Sequence, residues 1–99
     1  MSIDAFDPLL LSQVRLGIVS VLVERDAATF PELKALLGVT QGNLGVHLRK
    51  LEEGGYLEVA KEFVDRKPRT TARLTAAGRA AFAEHVERLS KIARGDGGG

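Results

Sequence analysis

Residues 40–59 read TQGNLGVHLRKLEEGGYLEV, and their reading decides the fold. Leu44, Leu48 and Leu51 recur at helical spacing, and Thr40 in front of them has the side chain of an N-cap. The stretch therefore predicts a helix over residues 41–53, stopped by Gly54-Gly55. Gly42 and Gly45 lie within its first turns, where each costs about 1 kcal/mol against alanine. With the leucines as the buried direction, Gly42, Val46, Arg49 and Glu53 point outward, Asn43 and Lys50 lie on one shoulder and Gly45 on the other. Gly45, beside the core, is expected to let the preceding helix approach closely. Gly42 faces solvent, where a missing side chain lets the backbone come near another molecule.

Upstream, Thr29-Phe30-Pro31-Glu32 has the threonine and glutamate of a capping box and a proline in the first turn. It predicts a short helix over residues 30–37, carrying Leu33, Leu36 and Leu37 and ended by Gly38. Two short helices joined through a glycine make a helix-turn-helix. A longer helix is predicted over residues 8–25. Its polar residues Gln13, Gly17, Ser20 and Glu24 fall in one narrow stripe, and apolar side chains such as Leu10, Val14, Ile18, Val21 and Leu22 cover most of the rest. So wide an apolar arc is either central to the monomer or covered on its second face by a partner, and the burial argument favours the partner.

Downstream the period changes. Tyr56, Leu57, Val59, Phe63 and Val64 are strand-like, VDRKPRTT is a turn-rich basic loop, and Thr71 to Leu74 pair back, giving a two-stranded hairpin over residues 56–74. Thr75 caps a final helix over residues 76–94, with Phe82, Val86, Leu89 and Ile92 along one side, and residues 95–99 form a glycine-rich tail. The expected class is α+β, mainly helical with a small hairpin.

Composition bounds what such a domain can do. A chain of 99 residues is one small domain, in the size range where pairing with a second subunit often adds stability. No cysteine is present, which excludes a disulfide framework, a thiolate metal site and a cysteine nucleophile, and fits a reducing cytoplasm. The N-terminal stretch has Asp4 and Asp7 where a signal peptide is basic, and Arg15 and Glu24 interrupt its apolar run before the ~20 residues that a membrane span needs. Net charge is only +1, but residues 61–79 hold six basic side chains against two acidic ones.

The outward face of the third helix has the chemistry that a DNA major groove requires. Gln41 and Asn43 carry amides that pair with adenine, Val46 suits a thymine methyl, and Arg49 and Lys50 reach guanine edges or phosphates. Thr40 and the helix N-terminus can meet a phosphate. Arg66, Lys67, Arg69 and Thr70 put cations and a hydroxyl on the hairpin tip, where they can follow a backbone or enter a minor groove.

The order of elements, the TQGNLGVHLRKLEEGGYLEV stretch, the RKPRTT hairpin and LTAAGRAAF after it together resemble the small winged-helix transcriptional regulators of the MarR and ArsR type, over roughly residues 8–94. That resemblance implies a homodimer joined by the first and last helices, with two recognition helices in successive major grooves of a palindromic operator. The implied seam holds Leu10, Val14 and Val21 with Phe82, His85, Val86, Leu89 and Ile92. ArsR-type metal sensing needs cysteine or clustered histidine and carboxylate ligands, and MarR-type effector pockets lie between dimerisation helices longer than this chain readily supplies. No cofactor and no metal are expected, and the sequence names no effector.

Catalysis is the weakest alternative. His47 and His85 are 38 residues apart without a zinc-binding spacing and read as packing residues, and no serine sits in a nucleophile-elbow pattern. A winged helix that contacts protein instead of DNA is the stronger rival, favoured slightly by the near-neutral net charge. An RNA-binding winged helix is a third, opposed by the lack of an exposed aromatic expected for stacking on bases.

Overall fold

In the computed structural model of the protein, which describes residues 3–95, one helix forms the centre on which the other elements pack. This helix, α1 (Gln13–Arg25), buries Ile18, Val19 and Leu22 completely. Around it, in chain order, lie β1 (Ala27–Thr29), α2 (Phe30–Leu37), α3 (Gln41–Glu53), β2 (Leu57–Val64), β3 (Lys67–Leu74) and α4 (Ala76–Ala93). Leu33 of α2, Leu44, Leu48 and Leu51 of α3, and Leu57 of β2 close the same core. The wide apolar arc of α1 is thus satisfied largely within one chain: Val14, Leu16, Val21 and Val23 are half-buried against that cluster.

The first helix is shorter than its hydrophobic pattern predicts. Residues 8–10 form a separate 3₁₀ turn, capped by the Asp7 carboxylate, which accepts from the Leu9 amide at 3.0 Å. The α-helix starts only after Ser12, whose hydroxyl accepts from the Arg15 amide at 3.2 Å. Two competing caps within six residues stop the backbone hydrogen bonding from running through. Helix α2 has the expected capping box, with Glu32 N–H donating to Thr29 Oγ1 at 3.3 Å and Thr29 N–H to Glu32 Oε1 at 3.0 Å. Gly38, at φ +64°, ends α2, and Thr40 caps α3 by accepting from the Asn43 amide at 3.2 Å.

The sheet has three strands, not two, in the order β1-β3-β2 and antiparallel throughout. Strand β1 pairs Ala27, Ala28 and Thr29 with Arg73, Ala72 and Thr71, which closes the base of the hairpin against α1. The basic stretch is strand as well: the turn consists of Asp65 and Arg66 alone, and Lys67 already pairs with Val64. Pro68 is tolerated because β1 pairs only residues 71–73 of β3, so its missing N–H falls on an open edge. At the hairpin base, Thr75 donates its amide to the Tyr56 carbonyl at 3.0 Å and its hydroxyl to the Gly55 carbonyl at 2.7 Å. Gly78 is buried there because a Cβ would meet the Tyr56 carbonyl oxygen and the Leu74 side chain. Of the expected tail, only Gly95 lies within the described residues.

Candidate nucleic-acid interface

Helix α3 divides into two faces. Leu44, Leu48 and Leu51 are between 0 and 5 % exposed, whereas Gln41, Gly42, Asn43, Val46, Arg49 and Lys50 are all exposed. The apolar Val46 is 49 % exposed amid these polar side chains, so no other element of the monomer covers this face. A Cβ at Gly42 would meet nothing within 4 Å, which leaves its backbone open to approach. Gly45 also has nothing within 4 Å, contrary to the expected close contact with α2. It borders an opening lined by Leu48, Arg49, Glu52, Val59, Lys61 and Thr70, so its missing side chain widens the gap between α3 and the hairpin.

The N-terminal ends of α2 and α3 and the hairpin tip enclose an open groove of about 630 Å³, lined by Thr29, Phe30, Pro31, Gln41 and residues of 64–70. Arg69, Lys67 and Gln41 therefore face one space. Arg49, Lys50, Arg66 and Lys67 form no ion pair with another described residue, since the ion pairs are Arg25–Glu32, Arg79–Asp26 and Arg88–Glu84. Arg79, which the sequence groups with the basic cluster, is instead held by Asp26 at 3.4 Å. Arg66 sits at φ +66° and Asp65 at φ +52°, a left-handed pair that costs about 1 kcal/mol per non-glycine residue. A two-residue hairpin turn demands this geometry at both positions, and the ladder of β2 and β3 holds it. Thr40 is exposed, its hydroxyl occupied as the α3 cap, and Thr70 is half-buried.

A contact the sequence does not announce links α1 to α3. Arg15 of α1 donates through Nη1 to His47 Nδ1 at 3.0 Å and through Nε to the Leu9 carbonyl at 2.7 Å. Guanidinium has no acceptor, so Nδ1 must be the unprotonated nitrogen. Burial first, then the charges of Arg15 and Lys50, lower the His47 pKa below its ordinary 6.5. The hydroxyl of Tyr56 donates to the Asp7 carboxylate, and that bond, with burial, pushes the phenol up to about 12. Together these contacts tie the N-terminal segment to the middle of α3 and to the residue just before β2.

The expected seam needs correction. Leu10 is 1 % and His85 3 % exposed within the single chain, Leu10 in the core and His85 edge-on to the Phe6 ring at 5.4 Å between centroids. Neither is available to a partner. Val14, Val21 and Phe82 are half-buried, while Val86, Leu89 and Ile92 are exposed along α4, with Leu11 exposed as well. Among the described residues, no three His, Asp or Glu side chains gather to hold a metal, and no helix is long and apolar enough to cross a membrane.

The profile of the winged helix DNA-binding domain matches residues 14–93. An uncharacterized protein of Methanocaldococcus jannaschii is 34 % identical over 83 residues, covering 84 % of this chain and 90 % of that one. The structure of a transcriptional regulator homologue from Pyrococcus horikoshii OT3 superposes with a TM-score of 0.83 at 34 % identity, over 88 % of this chain and 86 % of the other. BpsR of Bordetella bronchiseptica, whose DNA binding is regulated by 6-hydroxynicotinic acid, shares the fold with a TM-score of 0.75 at 20 % identity, over 98 % of this chain and 73 % of its own.

Proposed function

The chain belongs to the winged helix DNA-binding domain family, and from that premise we propose that it is a sequence-specific regulator of transcription that binds double-stranded DNA as a homodimer in the cytoplasm. Its family and fold are those of DNA-binding transcriptional regulators, not of enzymes. One observation carries the finer reading: the outward face of α3 is uncovered, and its first residue, Gln41, lines the same groove as Lys67 and Arg69 of the hairpin. In this reading α3 enters the major groove, where Gln41, Asn43, Val46 and Arg49 meet base edges and Gly42 lets the backbone approach. Lys50, Arg66, Lys67, Arg69, Thr40 and Thr70 bind the sugar-phosphate chain and set the register without reading sequence.

The partner is a second copy. Val86, Leu89 and Ile92 recur three residues apart on α4 and are each nearly half exposed, an apolar stripe of the kind that helix pairing covers. A two-fold dimer places its recognition helices on half-sites ~34–36 Å apart. Selection from a random DNA pool tests this, and an imperfect palindrome with that spacing is the expected product. Light scattering should give twice the 10.6 kDa chain mass. A chain of monomer mass that enriches no DNA would favour a protein-contact module, the reading to which the near-neutral net charge of +1 lends support.

A further inference from the structure

Phe63 is 79 % exposed, more than any other large apolar side chain of the described chain, so the expected lack of an exposed aromatic does not hold and no longer counts against an RNA-binding winged helix. Strand alternation places it on the hairpin face that carries Leu57, Val59 and Lys61. Leu57 is buried in the core and Val59 half-buried against it, but by Phe63 the strand has run past the helices. Its cross-strand partner is Pro68, so a ring and a pyrrolidine form a small apolar pair one step behind the turn. Nothing in the fold calls for an aromatic there, because there is no core beneath it.

Cations lie near this pair, with two carboxylates among them. Lys61 shares its face, Arg66 forms the turn with Asp65, Lys67 lies on the opposite face beside Val64, Glu62 pairs with Arg69 there, and the Lys61 side of the hairpin borders Arg49 of α3 across the gap at Gly45. A patch of two apolar side chains among cations, continuous with the recognition helix, complements a polyanion with an apolar interior between its backbones. We propose that Phe63, supported by Pro68, is a wedge that the wing presses into the minor groove next to the recognition helix, partly unstacking one base step. This rests on the DNA-binding reading above. A wedge of this kind bends the duplex toward the major groove by about 20–90°. It also favours flexible pyrimidine–purine steps under the wing, giving specificity at a position that no polar side chain reads.

The experiment uses the full chain and a duplex selected by it from a random pool, labelled at both ends so that energy transfer reports the bend. Because the ring is mostly exposed, Phe63→Ala leaves the core intact. The expected result is a loss of affinity of about tenfold or more, a bend reduced toward that of free DNA, and a weaker preference for TA or CA steps at the wing position. Phe63→Leu, which keeps an apolar wedge, should retain bend and preference. Unchanged affinity and bend in Phe63→Ala overturn the wedge while leaving the DNA reading in place. An unaltered chain that binds no duplex at low salt overturns both.

Discussion

The two faces of α3 share one backbone and meet opposite treatment from the rest of the chain. Its leucine face is enclosed by α1, α2 and β2, whereas its outward face is left with exposed amides, an uncovered valine and unpaired cations. The hairpin repeats the contrast along its length: Leu57 and Ala72 at the base are at most 3 % exposed, and Phe63 near the tip is 79 % exposed. Glycine separates the same two regions. Gly78 exists because neighbouring atoms leave no room, Gly42 and Gly45 where there is room to spare. Packing accounts for the first region and leaves the second open to solvent, where the proposed DNA contacts lie.

The largest expected effect breaks the packed side. Leu51→Ala, at a site with no exposure, should cost ~2–5 kcal/mol in urea unfolding, with DNA affinity per folded molecule retained. On the outward side the pattern inverts: Asn43→Ala should leave the unfolding midpoint in place and cost ~1–3 kcal/mol on the selected operator, with preference lost at one base. Arg69→Ala should weaken binding to all sequences alike and lower the salt slope by about 1. Equal losses on operator and random DNA for both variants would erase the division between reading and positioning residues.

The glycines sharpen the comparison with one substitution made twice. Gly45→Ala should stabilise the fold by up to ~1 kcal/mol, since alanine is the better helix former and meets nothing. Gly78→Ala should destabilise it by ~1–3 kcal/mol, because the added methyl runs into backbone. Thermal unfolding of the pair distinguishes them by sign. The smallest effect is that of pH. His47 has a folded-state pKa below 6.5, so its contribution to stability is present above that value and lost as pH falls through the folded-state pKa, when protonation displaces Arg15. His47→Gln should flatten this part of the stability profile.

The sequence makes the helix-turn-helix legible because its punctuation is chemical: the Thr29-Glu32 box, Gly38 and Thr40 each do locally what their residue types predict. What escapes it depends on contacts between distant segments. Strand β1 is Ala-Ala-Thr, too short to alternate, and exists only because residues 71–73 lie beside it. The sequence reads Phe63 only as strand-like, and nothing local says that it is left exposed while Leu57 on the same strand is buried. Leu10 and His85 fall in the apolar pattern of their segments, but only the packed chain shows that they are already covered. The Arg15–His47 bond joins residues 32 apart in sequence, a pairing no local pattern encodes.

The most direct test of a DNA-facing outer tier is binding to random-sequence duplex at 50 and 200 mM salt. Several phosphate contacts from α3 and the wing predict affinity falling ~10³-fold or more between the two, through release of counterions. Absent binding at the lower salt, or affinity indifferent to salt, would contradict the assignment of α3 and the wing to DNA.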